Sequence, residues 1–201
     1  MRHFLFGYGS LISRESRRAS GKTGETMPVL VHDMQRAWNV GATDMRMVGV
    51  GIVPKKGAGC NGVLIEIDET EIASFDKREI EGTSFSYDRL EIPFQKIHGL
   101  TEIFSQEEKV WAYVVNKPFT PSWEFPIVQS YIDVILSGCL DISDEFAIEF
   151  IRKTTGWEYP WCNDRNHPRY ARHLKKVDFQ DRIDDLLAKQ IPLQFASRKN
   201  L

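Results

Sequence analysis

An α+β fold is expected for this chain, because strand-like and helix-like patterning occupy different stretches of it. The first two-thirds carry short apolar runs separated by glycine and proline, and the last third repeats its apolar residues at helical spacing. With 201 residues and 42% hydrophobic content, one domain with a real core is expected.

Taken in order, the expected strands are residues 3–8, 28–38, 48–54, 61–68, 87–94 and 109–115. Several are apolar at nearly every position, so either both faces are covered or the sheet closes on itself. Ile127, Val128, Tyr131, Ile132, Ile135 and Cys139 then mark a first long helix. Ser143 is positioned to cap a second over 144–154, with Asp144 and Glu145 in its first turn and Gly156 beyond its end. Asp178 is expected to cap a third, with Phe179, Ile183, Leu186 and Leu187 on one face. On this reading residues 1–120 form the core unit and residues 121–201 a helical extension packed on it.

The most informative local feature is Phe6-Gly7-Tyr8-Gly9-Ser10-Leu11, where an apolar strand runs into two glycines that bracket a tyrosine. Glycine admits positive φ and lets a ligand approach main-chain N–H groups, so the loop reads as an anion cradle or as a plain strand-to-turn. A second feature is a short helix opened by Asp68-Glu69-Thr70-Glu71, a cap followed by a carboxylate three residues on. It is expected to run from 69 to 78 or a little beyond and to stop at Gly82. At 100° per residue, Glu79 falls within about 20° of Ile72 and so on the inward face. An inward carboxylate loses water and its pKa rises, which suits it to acid–base work near neutral pH. The alternative is a structural glutamate paired with an arginine such as Arg78 or Arg89, or binding a free backbone amide.

Together these features make the chain resemble the γ-glutamylcyclotransferase superfamily, and in particular its ChaC-like branch. Phe6-Gly7-Tyr8-Gly9-Ser10-Leu11-Ile12 is similar to the family's opening motif. Phe75-Asp76-Lys77-Arg78-Glu79, followed by Tyr87, resembles the segment with its catalytic glutamate and a downstream tyrosine. Arg36-Ala37-Trp38, Thr43-Asp44-Met45-Arg46 and Gly59-Cys60-Asn61-Gly62-Val63 resemble stretches between the two, in the same order. Beyond residue 92 the likeness reduces to Gln129-Ser130-Tyr131, where relatives present a substrate-contacting tyrosine.

The resemblance implies a small closed or nearly closed mixed β-barrel with flanking helices and a helical C-terminal third. It implies an enzyme that cyclises a γ-glutamyl group to 5-oxoproline and releases the attached amine, with neither metal nor organic cofactor. Carried over by position, Glu79 is the catalytic acid/base. The substrate contacts fall on Leu5, Phe6, Gly7, Tyr8, Gly9 and Ser10, with Tyr87 and Tyr131 as further binding residues. Ser10 is assigned to the substrate α-carboxylate, not to nucleophilic attack, because cyclisation needs no acyl-enzyme. Glutathione, a γ-glutamyl dipeptide and a γ-glutamyl amine all remain open as the small-molecule substrate. The readings from other classes are a non-catalytic binding or regulatory module on the same fold and an amidase hydrolysing a γ-linked amide.

Other constellations point elsewhere only weakly. Gly21-Lys22-Thr23 resembles the end of a phosphate loop, but Ser16 stands where that motif requires glycine. Serine does not lie between the glycines of 7–10 as a nucleophile elbow demands. His3, His32, His98, His167 and His173 lack metal-ligand spacing. The run of residues 169–176 reads as a solvated basic face. The aromatic segment 156–170 reads either as a loop packed on the core or as a flap whose Trp157, Trp161 or Arg165 touches substrate. A net charge of −2 argues against nucleic-acid binding, and no apolar run approaches the ~18 residues of a membrane span. The opening residues lack a signal-peptide layout, and three scattered cysteines suit a reduced, cytoplasmic protein.

Overall fold

The computed structural model describes residues 2–19, 26–76, 87–101, 105 and 107–200. Its organising strand is β1 (His3–Gly7), buried at all five positions. Leu5 belongs to one apolar cluster while Phe4 and Phe6 belong to another, so β1 is covered on both faces. Its unbroken apolar run follows from that position.

After β1 come α1 (Arg14–Ala19), β2 (Thr26–Ala42), β3 (Met47–Ile67), α2 (Glu69–Asp76), β4 (Tyr87–Glu91), β5 (Ile97–His98) and β6 (Lys109–Val115). The main sheet has the order β4-β6-β1-β3-β2-β5. β1 pairs parallel with β6 and antiparallel with β3, and β2 pairs antiparallel with β3 from Thr26↔Ile65 to Ala42↔Met47. The cluster around Phe4 and Phe6 is built from β1, β2, β3, β5 and β6 with Ile92. A sheet buries one face against its own strands only by curling, and the result is a half-barrel. Among the described residues the hydrogen-bonded path ends at β4 and β5, which do not pair, so the barrel closure expected from the sequence is not reached there.

The chain continues with β7 (Ile127–Val128), α3 (Gln129–Leu140), α4 (Asp144–Lys153), β8 (Thr154–Thr155), β9 (Trp161–Asn163), α5 (Gln180–Gln190), α6 (Pro192–Ser197) and β10 (Lys199–Asn200). β7, β9 and β10 form a small second sheet, so helices alternate with strands in the last third. The larger apolar cluster joins Leu5, Trp38, Val50 and Ile65 from the sheet to Ile135, Phe150, Ile183 and Leu187 from the helices.

Helix ends follow local chemistry. Ser143 Oγ accepts from Phe146 N at 3.1 Å, as its spacing predicts. At α2 the Glu71 carboxylate accepts the Asp68 N–H at 2.7 Å, the returning half of a capping box. α5 departs from expectation: Asp178 pairs with Lys176, the N-cap residue is Phe179, and Phe179 stays exposed while Ile183, Leu186 and Leu187 are buried. The two strands expected at 48–54 and 61–68 are one strand, β3, with residues 55–58 standing out opposite Asp33 between the pairs Met34↔Pro54 and His32↔Gly59. No helix of the described residues is long and apolar enough to cross a membrane.

Candidate active site

Where β1 ends, the chain turns tightly: Ile12 N donates to Gly9 O and Ser13 N to Ser10 O, each at 3.0 Å. Positive φ, expected of the flanking glycines, is corrected by the structure, since neither Gly7 nor Gly9 takes it. Close approach is what requires glycine. A Cβ on Gly9 would lie 3.0 Å from Val50 Cγ2 and 3.1 Å from the Tyr131 hydroxyl, and one on Gly7 would lie 2.9 Å from Leu11 Cβ.

This turn forms one wall of a cavity of about 140 Å³. Leu5, Phe6, Gly7, Tyr8, Gly9, Ser10, Tyr87 and Tyr131, all singled out from the sequence, line it together. Glu79 lies outside the described residues. The described residues nearest to it in sequence that line the cavity are Phe75 and Tyr87, one on each side. Among the described lining residues there is no aspartate or glutamate, and Arg172 is the one cation.

Three elements hold the tyrosines. Tyr8 donates its hydroxyl to the Tyr113 carbonyl at 2.7 Å, and the Tyr8 carbonyl accepts from buried Arg36 at 3.3 Å. Tyr113 donates to Asp76 Oδ1 at 2.9 Å, and Arg89 pairs with the other oxygen of that carboxylate. Tyr131 sits in the first turn of α3, with its hydroxyl 3.1 Å from where a Cβ on Gly9 would stand. Burial pushes the Tyr131 phenol well above the usual tyrosine range. Tyr131 therefore stays protonated at neutral pH and keeps an O–H to donate.

The start of α3 is fixed by a buried acid. Asp164 accepts from Ser130 N and Ser130 Oγ, each at 2.7 Å, and from Arg169 N at 2.8 Å. Tyr170 N in turn donates to Ser130 Oγ at 3.3 Å. One carboxylate thus ties the strap after β9 to the helix that carries Tyr131.

The aromatic segment resolves into two parts. Trp157 and Trp161 are core residues, 5% and 1% exposed, and Trp157 Nε1 donates to Ile151 O at 3.0 Å. Arg165 pairs with Asp133 and Asp184. None of the three lines the cavity, so the packed-loop reading holds for them. At the far end of the segment and just beyond it, Tyr170 and Arg172 do line it. Sequence reading missed both, and Tyr113 with them. Tyr170 and Arg172 lie in the run read as a solvated basic face, where the single aromatic is the signal of an inward turn.

Comparison with known proteins agrees with this architecture. The family model described as gamma-glutamyl cyclotransferase, AIG2-like, matches residues 5–130. A solved structure described as a gamma-glutamyl cyclotransferase superposes with a TM-score of 0.53 at 14% identity, covering 92% of this chain and 99% of that one. The uncharacterized protein loc79017 from Homo sapiens gives 0.51 at 16% identity over 77% of this chain and 89% of its own. YkqA from Bacillus subtilis gives 0.54 at 15% identity, covering 75% of this chain and 53% of YkqA. At these identities the likeness is one of fold. No curated protein sequence matches the chain.

Proposed function

The chain belongs to the gamma-glutamyl cyclotransferase, AIG2-like family, and from that membership we propose that it cyclises a γ-glutamyl amide or peptide to 5-oxoproline with Glu79 as base and then acid. The ChaC-like placement within the superfamily is part of the same proposal and rests on the two motifs at 6–12 and 75–79. The observation that carries the reading is the convergence of residues 5–10, Tyr87 and Tyr131 on one cavity whose described lining has no carboxylate of its own. The chemistry needs one acid, and Glu79 lies in the segment bracketed by lining residues Phe75 and Tyr87.

The steps follow from ordinary carbonyl chemistry. Glu79 takes a proton from the substrate α-ammonium, and the freed amine attacks the γ-carbonyl of the same molecule. Holding the chain folded makes that attack intramolecular and removes most of its entropic cost. A tetrahedral oxyanion forms and needs donors fixed in advance. The glycine-flanked loop supplies N–H groups, and Tyr131, kept protonated by its burial, supplies its O–H. The C–N bond then breaks: the leaving nitrogen takes the proton held by Glu79, and the ring nitrogen, cationic after its attack, gives its extra proton to the freed carboxylate. Tyr8 and Tyr113, tied to each other, form a rigid wall against which the γ-glutamyl group packs.

The test is to incubate the purified protein with γ-glutamyl-alanine and glutathione and measure 5-oxoproline. Release is expected from the native chain, with a loss of at least about a hundredfold in Glu79→Gln, the usual contribution of a general acid–base. Full activity in that variant would remove Glu79 from the mechanism. Free glutamate without the ring would mark an amidase. No turnover, with a thermal shift on adding 5-oxoproline, would mark a binding module.

A further inference from the structure

Tyr170 is 2% exposed and lines the cavity, yet its hydroxyl is buried without a hydrogen-bond partner. Burying a hydroxyl unpaired is costly, and such a group in a cavity wall points to an acceptor that arrives with a ligand. Two residues on, Arg172 lines the same cavity and is exposed, which places it at the rim. The Arg172 guanidinium carbon lies 5.6 Å from the centre of the Tyr170 ring, and the Tyr170 and Tyr131 ring centres are 4.8 Å apart, so the three groups share one side of the cavity.

This side is held in place from several directions. Asp164 accepts from Arg169 N, Arg169 Nη1 donates to Arg46 O at 3.0 Å, and Ala171 N approaches Met45 Sδ at 3.4 Å. Tyr170 and Arg172 are therefore presented by a fastened strap, and a fixed donor binds an anion with little ordering cost. A buried O–H beside a guanidinium suits a carboxylate.

We propose that Tyr170 and Arg172 form a subsite for the carboxylate of the leaving amino acid, so that the preferred substrates are γ-glutamyl amino acids and not γ-glutamyl amines. The proposal rests on the cyclotransferase reading for the direction in which the substrate lies. Ring closure requires the γ-glutamyl head to fold against residues 5–10, and the nitrogen substituent must leave through the mouth. Arg172 stands at that mouth, where a carboxylate one carbon from the departing nitrogen would pass.

Two unreactive analogues separate this proposal from the catalytic one. Glutaryl-alanine and glutaryl-ethylamide both lack the α-amine and cannot cyclise, and they differ by the leaving-side carboxylate alone. By calorimetry the native protein should bind glutaryl-alanine about tenfold more tightly, the value of one charge-assisted hydrogen bond. Arg172→Gln and Tyr170→Phe should each bring the ratio towards one, and Arg172→Lys should restore part of it. In turnover, the kcat/KM preference for γ-glutamyl-alanine over γ-glutamyl-ethylamine should shrink in step, through KM. Equal binding of the two analogues by the native protein would overturn the proposal. So would a parallel loss of both analogues in the variants, which would assign the pair to the γ-glutamyl head or to the fold. If no substrate yields 5-oxoproline, the cyclotransferase reading falls, and the calorimetric ratio still decides the subsite.

Discussion

Arg36 and Tyr8 meet across the sheet: Arg36 Nη1 donates to the Tyr8 carbonyl at 3.3 Å, behind the loop that walls the cavity. Arg36 is fully buried, and its other donors reach Asn61 O at 2.6 Å, Asn61 Oδ1 at 2.8 Å, Phe150 O at 3.1 Å and Thr154 Oγ1 at 2.8 Å. The guanidinium carbon lies 3.6 Å from the centre of the Phe150 ring. Neutral oxygens and an aromatic face solvate this cation, and burial pulls its pKa below the usual arginine value.

Arg36→Met should therefore destabilise the protein by about 3 kcal/mol or more, since several buried acceptors lose their donor at once. Arg36→Lys should cost about 2 kcal/mol, because an ammonium cannot span the same acceptors. Urea denaturation at fixed pH measures both. A loss below about 1 kcal/mol in the methionine variant would mean that these oxygens find other partners.

Tyr131 carries a pH signature. Its folded-state pKa lies above the unfolded one, chiefly through burial, so the folded chain holds that proton when the unfolded chain releases it. Stability from this source is intact below about pH 10, the ordinary tyrosine value, and falls as pH rises beyond it. Tyr131→Phe should flatten the fall. Chemical denaturation of the two proteins between about pH 8 and 11, a range spanning the ordinary tyrosine value, gives the comparison. Identical slopes would show that Tyr131 does not titrate as its burial requires.

Arg165 separates packing from recognition. Its loss would leave Asp133, whose side chain is 1% exposed, without a counter-charge. Arg165→Met should cost about 3 kcal/mol in stability. Because Arg165 is not among the cavity residues, KM for a γ-glutamyl substrate should stay within about twofold of the native value. A tenfold rise in KM with stability retained would return Arg165 to the substrate.

The parts legible in the sequence are those with strong local periodicity or local chemistry. β6 occupies the predicted span 109–115, and α4 starts at its Ser143 cap. The loop at 7–10 and Tyr131 are legible because motif order, not composition, carries them, and they do meet at one cavity. β3 reads as two strands because Pro54-Lys55-Lys56-Gly57 has the chemistry of a hairpin turn, and that chemistry serves a bulge within a continuing ribbon. β7, β9 and β10 have two or three residues each, too few for any period to show. Tyr170 and Arg172 are hidden for a different reason. Their inward placement comes from Asp164 reaching Ser130 and Arg169, a tertiary contact with no local signature.

The outstanding residues of β3 offer an engineering handle. Residues 55–57 are exposed, and Gly57 has φ +81° with nothing within 4 Å of where a Cβ would stand. Gly57 N is satisfied by Asp33 Oδ1 at 2.9 Å. None of these residues touches the cavity. A peptide tag or fluorophore grafted there would ride on the ribbon that also carries Gly49 and Val50, so the protein could be immobilised through residues that do not line the cavity.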